Sequence, residues 1–323
     1  MRGVARSDGA PAGWDVVVVG GANTDYVIHG PALPSPGGSV QGDRFLRSPG
    51  GKGLNQAVAA ARLGARIAMV ARLGSDARGD AALDTLRREG VDTGCILRDA
   101  EAPTGAAVIQ VGAEGRKQTM GFAGANARLT TDDVRAAGGV IRRARVLLVQ
   151  LETPLACARA AAELAHAAGV LVVLDPAPAA PLPDERLGVA AVVRPNSFEA
   201  EVITGVPVRD RASARRAALA LLDRGAGAAC VQAGEEGDLL VWRAGERWLP
   251  RLPVRSVDTT GAGDAFAAAM AVMLAEAKPL TEAAAFGNLA AALATTRLGA
   301  LPSLPRRSDV LALRDRLAAG ATP

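Results

Sequence analysis

The sequence predicts an α/β fold, a three-layer α/β/α sandwich with a mostly parallel central sheet and a small antiparallel flap. Three observations predict it. From residue 131 onward, short apolar runs alternate with Ala-rich helical segments, the pattern of βαβ units, whose right-handed crossovers place helices on both faces. A β-branched run at residues 14–19 ends in Gly20-Gly21 and reads as a buried first strand. Residues 26–49 then break the pattern with Pro31, Pro34, Pro36 and Gly37-Gly38, leaving only short alternating pieces at 27–28 and 39–45.

Taken in order, the first strand is followed by Asn23, Thr24 and Asp25, at the sheet edge where open α/β folds bind ligands. Gly50-Gly51-Lys52-Gly53-Leu54-Asn55 leads into an Ala-rich helix at 56–63. A second core strand is expected at 66–70 and an amphipathic helix at 79–89, closed by Gly90. Residues 106–111 and 117–122 read as a hairpin and as the second piece of the flap. Helices are expected at 131–144, 155–168, 198–204 and 213–223, with strands at 146–151, 170–174, 191–194 and 228–232 between or after them. An antiparallel pair at 239–242 and 248–254 precedes helices at 265–277, 281–296 and 309–317. No internal repeat or long linker divides the chain. One domain is expected over 14–323, carrying flap segments at about 24–50 and 104–124, after a disordered tail over 1–13.

Composition narrows the function classes. At 323 residues and 49% apolar, the chain can bury a large core. Its net charge is +4, from 37 basic and 33 acidic residues, with no long basic run and few aromatics. Nucleic acid is therefore not an expected partner. No run approaches a membrane span, and residues 1–13 lack the apolar segment of a secretory signal. Cys95, Cys157 and Cys230 lack metal-ligand spacing and read as buried free thiols in a reducing, cytoplasmic setting. His29 and His166, the only histidines, are too far apart to build a metal or Ser-His-Asp site. Trp242 and Trp248 read as hairpin packing, and Arg142, Arg143, Arg145, Arg215 and Arg216 as solvated helix faces.

The chemistry concentrates in Asp258-Thr259-Thr260-Gly261-Ala262-Gly263-Asp264. A glycine turn opening a helix presents backbone N–H groups on its positive end and suits a phosphate. By itself the stretch also fits a routine helix start with Asp264 as N-cap. Other polar residues decide the matter, since Asn23, Asp25, Glu152, Asp175 and Asn196 all directly follow predicted strands and so share one sheet edge. Asn23, Asp25, Lys52, Asn55 and Glu152 suit a polyhydroxylated ligand, and Asp264 can act as a base. Asp175 is open to two readings, a turn residue or a site residue. Together they describe phosphoryl transfer from a nucleotide to a sugar hydroxyl, a reaction catalysed mainly by positioning and electrostatics. No Walker A loop and no Gly-x-Gly-x-x-Gly after the first strand is present, which sets aside a nicotinamide-dependent oxidoreductase.

The chain resembles the ribokinase-like sugar kinase family. The family's first signature is similar to Gly50-Gly51-Lys52-Gly53-Leu54-Asn55-Gln56-Ala57, and its second to the stretch from Asp258 to Phe266. Further matches stand at residues 21–25, 34–38, 123–127, 150–154, 175–178, 194–196 and 299–303, in family order. The resemblance implies ATP-dependent phosphorylation of a sugar, with D-ribose at its 5-hydroxyl the expected acceptor. Asp264 would be the base, Gly261, Ala262 and Gly263 the anion hole, and Asn23, Asp25, Gly51, Lys52, Asn55 and Glu152 the sugar site. The nucleotide would meet Asn196, Gln232, Gly234, Gly237, Gly263 and Asn288, with Glu199 near the phosphates and Mg2+. K+ would be held at Asp258, Thr260, Ala294, Arg297, Gly299 and Ser303, mostly by carbonyls. The flap would be a β-sheet lid that closes over the sugar and builds a homodimer. Departures stand at Glu235-Glu236, acidic beside a polyphosphate, and at Asn288, where a His is common. A kinase for another sugar or a nucleoside, and a sugar-binding sensor without catalysis, are the competing readings.

Overall fold

The computed structural model describes residues 13–113, 116–182, 187–234 and 236–320. In chain order the strands are β1 (Val16–Val19), β2 (Asn23–His29), β3 (Arg44–Gly50), β4 (Ile67–Gly74), β5 (Asp92–Asp99), β6 (Gly105–Val111), β7 (Lys117–Phe122), β8 (Val146–Val149), β9 (Leu171–Leu174), β10 (Val192–Val193), β11 (Ala228–Gln232), β12 (Gly237–Trp242) and β13 (Gly245–Pro250). Nine of them form the central sheet in the order β13-β12-β11-β10-β9-β8-β1-β4-β5. From β11 to β5 every pairing is parallel, and only the β11–β12–β13 meander at the edge is antiparallel.

Helices of eight residues or more are α1 (Lys52–Arg62), α2 (Ala77–Arg88), α3 (Leu155–Ala167), α4 (Ser197–Thr204), α5 (Arg211–Asp223), α6 (Ala262–Ala275), α7 (Leu280–Ala294) and α8 (Arg307–Ala318). Strand alternation sends Val16, Val18, Val146 and Leu148 to one face, packed with α1, α2, α6, α7 and α8. Val17, Val19, Leu147 and Val149 go to the other, packed with α3, α4 and α5. Both faces are covered, which is why β1 and β8 read as uninterrupted apolar runs.

The lid is a separate four-stranded sheet, β3-β2-β6-β7, with β2 and β6 parallel and both outer pairs antiparallel. Its inner face carries Asp25, Val27, Ala107, Ile109, Lys117 and Thr119. Its outer face carries Ile28, Phe45, Val108, Met120 and Phe122, all exposed.

Several elements differ from the sequence reading. The helix expected over 131–144 is two short ones, Thr131–Ala136 and Gly138–Ile141, because Gly138 and Gly139 weaken its middle. Strand β3 starts at Arg44 rather than residue 39, and Asn23 to Asp25 are the start of β2 rather than a loop. Strand β5 was not expected, since Cys95, Ile96 and Leu97 are flanked by exposed polar residues on an edge strand. Cys95 is accordingly only half-buried, whereas Cys157 and Cys230 are buried. Of the expected tail, residues 1–12 lie outside the described residues. No described helix is long and apolar enough to cross a membrane.

Candidate active site

Helix α6 starts against the loop that carries Ala300. Gly261 is its N-cap at φ 86°, and a Cβ there would stand 2.9 Å from Ala300 Cα, so the turn requires glycine. No side chain caps this helix start. Asp264, the third helical residue, is buried and its carboxylate bonds the start of α1. Oδ2 accepts from Asn55 Nδ2 at 3.0 Å and Oδ1 from Gln56 Nε2 at 3.0 Å. The reading of Asp264 as a helix cap is thereby overturned.

Those two donors come from α1, whose first residues face α6. Gly51 caps α1 at φ 86°, and a Cβ there would lie 2.7 Å from the Asn23 amide nitrogen. Lys52 Nζ lies 3.3 Å from Asp175 Oδ2 and 3.7 Å from Asp264 Oδ1, while its backbone N–H donates to Glu152 Oε2 at 2.8 Å. Gln56 Nε2 also donates to Asp175 Oδ2 at 2.7 Å, and Gln56 Oε1 accepts from Gln150 Nε2. Asp175 therefore joins the same hydrogen-bonded cluster as Lys52, Gln56 and Asp264. Asn23 Oδ1 accepts from Asn126 Nδ2 at 2.7 Å, and Asn126 Oδ1 in turn accepts from the Ala22 N–H at 3.0 Å.

Asn23, Lys52, Asn55, Asn126, Glu152, Asp175 and Asp264 line one cleft of about 1200 Å³ beneath the inner face of the lid, with Gln56 and Gln150 fully buried behind them. One part holds Asn23, Asp25, Gly51, Lys52, Asn55 and Glu152, close to Asp264. The other holds Asn196, Gln232, Gly234, Gly237 and Asn288, and the turn at Gly261, Ala262 and Gly263 also borders the cleft. Asn288 Nδ2 donates to the Pro250 carbonyl at 2.9 Å. Glu236 is exposed and Glu235 lies outside the described residues, so the acidic pair gives no described carboxylate in the cleft.

Burial, with neighbouring carboxylates adding to it, sets the electrostatics. Burial, reinforced by the charge of Asp264, raises Asp25 to about 7. Burial likewise raises Glu152 to about 7, with Asp264 and Asp25 adding to it against the pull of Lys52. Asp175 is raised by burial and by Asp264. Burial opposes the charge on Lys52, yet Asp175, Asp264, Glu199 and Glu152 together hold its ammonium above the usual range.

The expected metal residues fall in two places. Asn196 and Glu199 form a capping box on α4: Glu199 Oε2 accepts the Asn196 N–H at 2.8 Å and Oε1 accepts Asn196 Nδ2 at 2.7 Å. With both oxygens engaged, Glu199 fits the water shell of a hydrated magnesium, an ion that keeps several waters, rather than a direct ligand. Asp258, Ala294, Arg297, Gly299 and Ser303 lie outside the cleft lining, behind the α6 turn. Asp258 is fully buried, accepting from Thr260 N at 2.8 Å, Thr260 Oγ1 at 2.6 Å and Gly299 N at 2.8 Å. A buried carboxylate held by three neutral donors fits a nearby cation. Arg297 is exposed, and Ser303 Oγ donates to the Ala300 carbonyl at 2.7 Å.

Sequence reasoning missed Gln56, Gln150, Asn126, Arg194, Asp238 and Lys117 as site residues. Gln56, Asn126, Gln150 and Arg194 stand inside the family-like stretches, which was the available signal. Asp238 had none. His29 bonds Asp43 at 2.6 Å and His166 is exposed on α3. Trp248 packs under Arg211 with a cation–ring distance of 5.4 Å, in keeping with a hairpin role.

The chain is similar to known proteins in both sequence and fold. The model of the family described as pfkB family carbohydrate kinase matches residues 14–307. The ribokinase of Haemophilus influenzae is 39% identical over 296 residues, 92% of this chain and 97% of that one. A deoxyribokinase of Salmonella typhimurium is 31% identical over 307 residues, 93% of this chain and all of that one (100%). The structure of Arabidopsis thaliana ribokinase complexed with ribose and ATP superposes with a TM-score of 0.82 at 32% identity, covering 94% of this chain and 99% of that one. The chain belongs to the pfkB family of carbohydrate kinases, and within it to the ribokinase-like sugar kinases.

Proposed function

We propose that the protein is a ribokinase, transferring the γ-phosphoryl group of ATP to the 5-hydroxyl of D-ribose. The observation that carries this reading is the meeting of Asn55, Gln56 and Lys52 with Asp264 at the uncapped start of α6, inside the cleft that Asn23, Asp25 and Glu152 also line. In this reading the sugar lies among Asn23, Asp25, Gly51, Lys52, Asn55 and Glu152. Asp264 accepts the proton of the 5-hydroxyl as its oxygen bonds to the γ-phosphorus. The bond from that phosphorus to the bridging oxygen of ATP breaks, and ADP leaves. The N–H groups of Gly261, Ala262 and Gly263 and the positive end of α6 stabilise charge on the transferring group. Asn196, Gln232, Gly234, Gly237 and Asn288 form the nucleotide side.

Magnesium would accompany the nucleotide, with Glu199 facing its water shell, and would supply neutralising charge to the phosphates. K+ would sit by Asp258 and Thr260 with the carbonyl-bearing residues Ala294, Arg297, Gly299 and Ser303, stiffening the α6 turn from behind. A second copy of the chain would cover the apolar outer face of the lid, giving a homodimer. The fold from residue 14 onward acts as a single kinase domain with the lid inserted.

The test is an acceptor panel with ADP release as readout, in which D-ribose, 2-deoxy-D-ribose, other pentoses, hexoses and nucleosides compete. D-ribose should give the highest kcat/KM. No turnover with D-ribose would sink the assignment, and preference for 2-deoxy-D-ribose would move it to the deoxyribokinase side of the same family.

A further inference from the structure

Beside the first turn of α6 lies a guanidinium with no part in the mechanism so far. Arg194 follows β10 and is only 6% exposed. Its Nη2 donates to Asp238 Oδ1 at 3.1 Å, and its plane stacks 4.5 Å from the Phe266 ring centre. Its Nε is buried without a hydrogen-bond partner among the described residues. Its Nη1 stands 3.6 Å from the point where a Cβ on Gly263 would be, so the fork reaches the glycine turn. Arg194 also lines the cleft, between the residues around Asp175 and those around Gln232 and Gly234.

A buried guanidinium with an unused donor is costly, and the N-terminus of a helix is the end that disfavours a cation. Two positive features therefore face one another across Gly263. An anion between them takes up both sets of donors at once, and the planar fork of arginine matches phosphate oxygens. Asp238 is paired with Gln232 across the base of the β11–β12 hairpin. Through Asp238, Arg194 is thus fixed to the hairpin whose turn, at Gly234, borders the nucleotide side.

We propose that Arg194 is a phosphate-binding residue, its Nη1 meeting a terminal phosphate of the nucleotide beside Gly263 while Asp238 holds the guanidinium in place through Nη2. The inference rests on the ATP-dependent reading above. It goes beyond it by adding a side-chain cation to an anion hole otherwise made of backbone.

The experiment measures Kd for ATP and for D-ribose by calorimetry, together with KM and kcat, on the wild type, Arg194→Met and Arg194→Lys. Loss of a charged hydrogen bond to phosphate should raise Kd and KM for ATP on the order of tenfold to a hundredfold in Arg194→Met. The Kd for D-ribose should be unchanged, and Arg194→Lys should recover part of the ATP affinity. A folded Arg194→Met with wild-type ATP affinity would overturn the proposal, as would equal losses for ATP and sugar that lysine does not restore. Should Arg194→Met fail to fold, Arg194→Lys decides, because lysine keeps the charge and loses the fork: weaker ATP binding supports the proposal and unchanged binding overturns it. A wild type that binds ATP but phosphorylates no acceptor would defeat the kinase reading while leaving the Arg194 measurement intact.

Discussion

Asp264→Asn should remove nearly all turnover while leaving fold and sugar binding in place, and the partners of Asp264 show why. The carboxylate accepts one hydrogen bond from Asn55 and one from Gln56. Gln56 cannot turn its amide over, because its Oε1 accepts from Gln150 and its Nε2 also donates to Asp175. Asn55 can, because its Oδ1 has no hydrogen-bond partner among the described residues. In the variant, the new side-chain amide keeps both bonds by pointing its oxygen toward Gln56 and its NH2 toward a turned Asn55. The change in stability should therefore stay within about 1 kcal/mol, the net worth of one such bond. Loss of a general base should lower kcat by roughly 10²–10⁴. ADP release under saturating substrates, calorimetric titration with D-ribose and thermal melting together test this. A variant with kcat within about tenfold of wild type refutes the base assignment. A fall in sugar affinity as large as the fall in rate refutes the claim that Asp264 acts on the proton rather than on binding.

The same geometry sets the outcome of three other perturbations. Gln56→Leu strips donors from two buried carboxylates, Asp264 and Asp175, and should cost roughly 1–3 kcal/mol of stability and lower kcat more than it raises the KM for sugar; wild-type kinetics in this variant would show that Gln56 does not position the base. Asp25 binds its proton more tightly folded than unfolded, its value standing at about 7 against 3.8, so the folded state carries a penalty that grows as pH rises across that interval and is level above it. Asp25→Asn should therefore gain stability relative to wild type with rising pH, by of order 4 kcal/mol at the top, and urea unfolding at a series of pH values that shows a constant difference would contradict this. On the outer face of the lid, Phe45→Asp with Met120→Lys should convert the proposed dimer to a folded monomer, seen as a lower sedimentation coefficient with unchanged far-UV circular dichroism, and an unchanged sedimentation coefficient would refute a lid-mediated dimer.

The fold was legible wherever burial imposes a pattern. Strands β1, β8, β9 and β11 are covered on both faces, and their apolar runs are continuous in the sequence. The pattern failed where burial is partial. Strand β5 is an edge strand with mostly polar, half-exposed residues, so neither a continuous run nor a clear alternation marks it. The start of β2 was hidden for another reason: Asn23, Thr24 and Asp25 are buried polar residues in a strand, and Asn23 and Asp25 line the cleft rather than an apolar core.

The site divides in the same way, between groups whose work is done by the backbone near them and groups whose work depends on distant partners. Gly51 and Gly261 could be read directly, since a glycine at a helix start carries its conformational reason with it. Asp264 could be placed at the turn but not aimed, because its direction is set by Asn55 and Gln56, more than two hundred residues away in the chain. Asn196 and Glu199 illustrate the converse: their spacing reads equally as a capping box and as a phosphate element, and the structure forms the box while leaving both residues in the cleft. Asp238 gave least away, and nothing in the sequence joined it to Arg194. A buried ion pair between the end of one strand and the start of another has no local spacing, and only the fold brings the two together. What sequence cannot supply is which polar side chains complete each other's hydrogen bonds, and it is this completion, from Gln150 through Gln56 to Asp264, that holds a carboxylate in one place at an otherwise ordinary helix start.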